Sequence, residues 1–125
     1  MIKLVREHLF KNNELINMLD ENDSIFYIDK PEKRNDKTYI VIKDKLLSGK
    51  YIEEYQLTFH IVSPSPHLAK NIEKELISYL NDPRGEVIIR NKDTFISNIQ
   101  VLNGGGTIRT PQNDYLSVVY FIAKK

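Results

Sequence analysis

Cysteine and tryptophan are absent from the 125 residues, and Lys and Arg outnumber Asp and Glu by one, 18 against 17. The first absence removes disulfides, thiolate metal sites and cysteine nucleophiles together, so the fold must stand on packing alone. The balanced charge excludes the strongly basic surface with which dedicated duplex binders displace phosphate counterions. No run approaches the ~20 apolar residues that a membrane-spanning helix needs. Met1-Ile2-Lys3-Leu4-Val5-Arg6-Glu7-His8 puts charges where a signal peptide carries its apolar run, so a soluble chain without a secretion signal is expected. Gly and Pro number five each and sit at punctuation points rather than along a linker, and no internal repeat is visible.

What is present suits one domain over residues 1–125: 41% hydrophobic and 10% aromatic residues in a length able to bury roughly two-thirds of its unfolded surface. Across residues 2–19, Val5, Leu9, Leu15, Ile16 and Leu19 fall on one helical arc. Asn12 lies inside that arc. Either it is a tolerated polar residue at the helix edge, or the helix breaks and Asn13 caps a second short helix from Glu14. Residues 25–28 read as an edge strand, and Thr38-Tyr39-Ile40-Val41-Ile42 as a strand packed on both faces. A turn around Ser48-Gly49-Lys50 leads to the clearest strand, where Tyr55, Leu57, Phe59 and Ile61 alternate with Glu54, Gln56, Thr58 and His60.

Ser65 and Pro66 then open a helix, the first as cap and the second at a position where its missing N–H costs nothing. Ala69, Ile72, Leu76 and Leu80 form its apolar stripe, and Pro83 and Gly85 end it near Asn81. Short strands are predicted over residues 87–89 and 95–102, a long one over 115–123, and a flexible glycine-led loop over 103–114. Strands grouped in runs predict an α+β domain, a largely antiparallel sheet with two helices on one face in the order α-β-β-β-α-β-β-β.

Candidate chemistry is thin. His8, His60 and His67 have no carboxylate at ligand spacing, so surface histidines are favoured over a metal site. Glu53 and Glu54 point to opposite faces of a strand and cannot form an acid/base pair. Gly104-Gly105-Gly106-Thr107 has neither the lysine nor the following helix of a phosphate loop. No catalytic residue, metal or cofactor is assigned. Two segments remain as candidate interaction loops. Residues 29–37, built of charged residues, Asn and Pro, carry Lys30, Lys33, Arg34 and Lys37, and a solvated loop of mixed sign is the plainer reading. The glycine segment carries Gly104, Gly105, Gly106 and Arg109. The seven tyrosines fit either subunit interfaces or the rim of the core.

Several phrases, in order, resemble the tail terminator (tail completion) proteins of long-tailed bacteriophages. They are Glu14-Leu15-Ile16-Asn17-Met18-Leu19 after the first helix, Ile25-Phe26-Tyr27 with Pro31 following, and Tyr39-Ile40-Val41-Ile42. Tyr55-Gln56-Leu57-Thr58-Phe59-His60-Ile61-Val62-Ser63 runs into a helix with Ala69 early and Leu76 late, and Asp114-Tyr115 opens the closing strand. Two positions depart from that family's habit: Thr38 stands before Tyr39 where Pro is common, and Val62 where an aromatic is common.

The resemblance implies a non-enzymatic homohexameric ring in the virion neck, assembled in the host cytoplasm. Its partners would be the major tail tube protein on one side and a head-completion or connector protein on the other. DNA would pass through the lumen without sequence-specific binding, which near-neutral charge suits, and no membrane would be involved. Other readings are a different neck component such as a head-completion protein, a small α+β module binding RNA or a metabolite, and, third, an enzyme. Charges gather in loops and on helix faces while the late strands are nearly uncharged, a segregation that suits stacked rings.

Overall fold

A computed structural model describes residues 2–48, 53–86, 89–90 and 95–125, the side chains of residues 48 and 103–105 apart. The N-terminal helical segment is in two pieces, α1 (Ile2–Leu9) and α2 (Asn13–Asn17). Asn12, not Asn13, is the cap: its backbone is extended, and its Oδ1 accepts from the Leu15 N–H at 3.2 Å. Its Nδ2 donates to Glu75 Oε1 at 2.8 Å, so one amide both starts α2 and ties it to a helix 63 residues away. Asn12→Ala should therefore cost about 1–2 kcal/mol, read as a lower urea midpoint at unchanged slope.

The main sheet has five strands in the order β1-β2-β3-β7-β6. They are β1 (Ile25–Tyr27), β2 (Tyr39–Ser48), β3 (Glu54–Ser63), β6 (Asn98–Arg109) and β7 (Tyr115–Lys124). Only β1–β2 is parallel, and the β2-β3-β7-β6 block is antiparallel throughout. Alternation fixes which side is dry. Leu57, Phe59 and Ile61 of β3 and Val119, Phe121 and Ala123 of β7 are buried against the helices, while their neighbours are half-exposed. Phe59 meets Phe121 edge-on at 5.4 Å in the middle of this core.

Helix α3 (Pro66–Leu80) lies on the same side, packed on β3, β7 and β6 through Ala69, Ile72, Leu76 and Leu80. It starts as its sequence predicts, with Ser65 Oγ accepting from the Leu68 N–H at 3.3 Å and Pro66 in the first turn. Asn81 closes it, and the chain turns at Gly85, where φ is +68°. A small hairpin of β4 (Ile89–Arg90) and β5 (Phe95–Ile96) follows. The α+β architecture is as expected, with three helical segments because the first divides at Asn12.

Two expectations need correction. The strand predicted over 95–102 bends at Ser97, which separates β5 from β6. The flexible loop predicted over 103–114 is mostly strand: β6 runs to Arg109, with Gly104 opposite Val119 and Gly105 opposite Val118. Glycine disfavours strands locally, but a full ladder to β7 overrides that preference. The connection itself is only the Thr110–Asp114 turn, closed by the Thr110 N–H donating to Asp114 O at 2.8 Å, with Asn113 at φ 66°. The predicted turn at Gly49-Lys50 and the predicted strand residues 87–88 lie outside the described residues.

Candidate assembly surface

The charged segment 29–37 is a strapped loop rather than a free one. Its anchor is Asp36, whose side chain is 2% exposed despite its charge. Arg34 grips it with Nε on Oδ1 at 2.7 Å and a second nitrogen on Oδ2 at 2.9 Å, while Ser24 Oγ donates to the same carboxylate. Arg34 also pairs with Asp23 at 2.9 Å and lies 5.1 Å over the Phe26 ring. The Arg34 hydrogen bonds hold the Asp36 carboxyl down at about 2, against the desolvation that would raise it. Lys30 Nζ sits 5.0 Å over the Tyr39 ring. Of the four cations singled out in this segment, Arg34 and Lys30 are thus engaged within the chain. Lys33 and Lys37 are exposed, although the Lys37 backbone N–H is held by Asp20 Oδ2 at 2.6 Å.

The glycine segment sits far away, on the other flank. Gly104, Gly105 and Gly106 belong to β6, the outermost strand on that side, with bulges on either side of the Asn103–Gly105 stretch. Arg109 ends the strand exposed, its guanidinium donating to Asn113 Oδ1 at 2.8 Å. The two candidate groups therefore do not form one site, but occupy opposite edges of one sheet.

Between them lies the sheet face away from the helices. The register aligns it in rows: Tyr39, Val62, Leu116 and Ile108; then Val41, His60, Val118 and Gly105; then Lys43, Thr58, Tyr120 and Asn103. No helix among the described residues packs on this face. His60 sits near its middle, and burial, with Lys43 nearby, lowers its pKa, so it is neutral at pH 7. His8, by contrast, stacks on Tyr79 at 4.8 Å beneath α3. No group of three or more His, Asp or Glu among the described residues is arranged to hold a metal ion.

Exposed apolar side chains mark the same two flanks. Tyr27, Ile28, Leu46 and Leu47 belong to the β1–β2 side; Leu102 and Ile108, the latter 60% exposed, belong to β6. Of these, only Tyr27 stands out in the sequence, as one of the seven tyrosines suited to an interface, although Leu46-Leu47 breaks the alternation of β2 and Ile108 follows directly on the glycines and Thr107. An open cavity of about 490 Å³, lined by Ile2, Arg6, Ile25, Tyr27, Asp29 and Asp44, lies against the β1 edge. Arg6 Nε caps that edge by donating to Ile25 O at 2.7 Å.

The whole arrangement defines an α+β domain whose exposed large apolar residues, Phe95 of the small hairpin apart, lie at the flanks of the main sheet. No protein-family model and no curated protein matches the sequence. Among solved structures, the fold is similar to a chain described as "Virion of native gene transfer agent (GTA) particle", with a TM-score of 0.74 and 12% identity. The alignment covers 96% of this chain and 90% of that one.

Proposed function

We propose that the chain is a structural virion protein, a tail terminator that assembles as a hexameric ring on the head-proximal end of a tail tube and meets the head-completion ring above it. The observation that carries this reading is the end-to-end fold likeness to a chain from a gene transfer agent virion. It agrees with the order of sequence phrases resembling tail terminators. The distribution of exposed apolar residues supports assembly as well, because two different patches on opposite flanks are what a head-to-tail ring requires. No catalytic role is assigned to any residue, and the chain acts as a joint. The internal ties of Arg34 and Lys30 weigh against the charged loop as a phosphate-binding site for RNA.

The test is a mass measurement of the purified protein, alone and mixed with the major tube protein, with electron microscopy of the mixture. Rings and capped tubes of limited length are expected. A strict monomer that leaves tube growth unchanged would refute the assignment. A ring that binds only the connector and ignores the tube would instead identify a head-completion protein.

A further inference from the structure

Both edges of the main sheet are partly open, and the open halves are complementary. On β6 the lower half is closed: Ile99 exchanges hydrogen bonds with Asp82, and the Val101 N–H donates to Asn81 Oδ1. Alternation along the ladder to β7, followed through the bulges, turns the backbone groups of Gly104, Thr107 and Arg109 outward, and no strand among the described residues meets them. On β2, Ile40 and Ile42 turn their groups to the β1 side, where the Ile40 N–H donates to Ser24 O and Ile42 O accepts from the Ile28 N–H. The same alternation turns Asp44 and Leu46 to that side, beyond the end of β1. An open edge of this kind presents unpaired backbone donors and acceptors, a template for pairing with a further strand.

Gly106 points the same way. A Cβ built there meets nothing within 4 Å, and its backbone is not in the left-handed region, so packing within the chain does not require a glycine. Glycine costs a strand stability and leaves room for a second backbone to approach closely.

We propose that residues 104–109 of β6 in one copy pair antiparallel with residues 43–48 of β2 in the next, so that a single sheet runs around the ring; this rests on the ring reading above. The strand directions fit. The block β2-β3-β7-β6 alternates throughout, so placing β6 beside the next copy's β2 continues the antiparallel order. The offset fits as well. Within one copy Ile108 is level with Tyr39, whereas across the joint it would stand opposite Lys45, with Arg109 opposite Asp44 just beyond the end of β1. That stagger of six residues is about 20 Å over four strand spacings totalling about 19 Å, a tilt of about 45°, at the upper end of the range of closed barrels.

The absence of native cysteine makes cross-linking a clean test. Lys43, Lys45 and Ile108 are exposed, and directly opposed, non-hydrogen-bonded residues have the Cα separation a disulfide needs. Oxidised Lys45→Cys/Ile108→Cys should give a covalent ladder ending in a closed ring, and Lys43→Cys/Ile108→Cys, which would need Arg109 in the place that Ile28 holds beside Ile42, should not. Thr107→Pro removes an outward N–H that the fold does not use, together with the Thr107 Oγ1 hydrogen bond to the buried Ser117 Oγ at 2.7 Å; its melt should therefore match that of Thr107→Val, which loses only the hydroxyl, while its association is weaker than that of Thr107→Val by at least about tenfold. If Thr107→Pro fails to fold, the cysteine pairs decide alone. Rings that assemble normally in a folded Thr107→Pro, or rings in which Lys45→Cys/Ile108→Cys does not link, would overturn the strand joint and leave the ring reading intact. A monomer under every condition, tube protein included, would overturn both.

Discussion

Gly85→Ala is expected to destabilise the protein by about 3 kcal/mol. Two costs combine. The residue's φ of +68° is one that an L side chain adopts only with strain, worth about 1 kcal/mol or more. The added Cβ would also stand 2.2 Å from the backbone oxygen of Ser97, and a carbonyl at a strand junction cannot rotate away as a side chain can. The Ser97 N–H is already committed to Lys124 O at 2.7 Å, so moving its peptide disturbs the start of β6. Urea unfolding of Gly85→Ala beside wild type measures the loss, and a change below about 1 kcal/mol would show that the junction can yield.

Asp36→Ala should cost about 2–3 kcal/mol, because it strips Ser24 Oγ and Arg34 of a shared buried acceptor. At this chain length that corresponds to a fall in Tm of about 8–12 °C. The pH dependence has a definite sign. Because the folded carboxyl is held at about 2, below its unfolded value near 3.9, its contribution is complete above the unfolded pKa. It is lost progressively as pH falls from about 5 toward 2. Wild type should therefore lose stability faster than Asp36→Ala over that interval, so their melting temperatures converge with acidification. Parallel curves would show that the strap does not act through ionised Asp36. Asp36→Asn keeps the shape but supplies a weaker acceptor, and should fall between the two.

The parts of this fold written in the sequence are those whose causes are local. Ser65 and Pro66 start α3 because a hydroxyl and a fixed φ act within one turn, and β3 alternates because its own residues do. The break at Asn12 was half legible: polarity inside an apolar arc marks the place, but the bond to Glu75 that makes the asparagine worth burying comes from far along the chain. Asp36 lies inside a segment whose charged residues, Asn and Pro predict a solvated loop. Its burial depends on Ser24 and Asp23, which its neighbours in sequence do not announce. The glycine segment was misread for a related reason. Local propensity argues for a loop, and only the pairing with β7 makes it a strand edge. The candidate surface followed suit: cations were legible as residue types, but which are spent within the fold became visible only in three dimensions.

The bridge between Asp82 and Ile99 has a consequence for how accurately anything can dock on β6. Edges that are open along their whole length let a partner strand slip by two residues at little cost, since each slip restores the same pattern of donors and acceptors. Here the chain leaving α3 occupies the lower half of the edge, with Asn81 at Val101 and Asp82 at Ile99, and forms a physical end-stop. An incoming strand can slide along 104–109 only until it strikes that stop. The segment that ends a helix thereby also serves as a gauge, setting the register of whatever adds to the sheet.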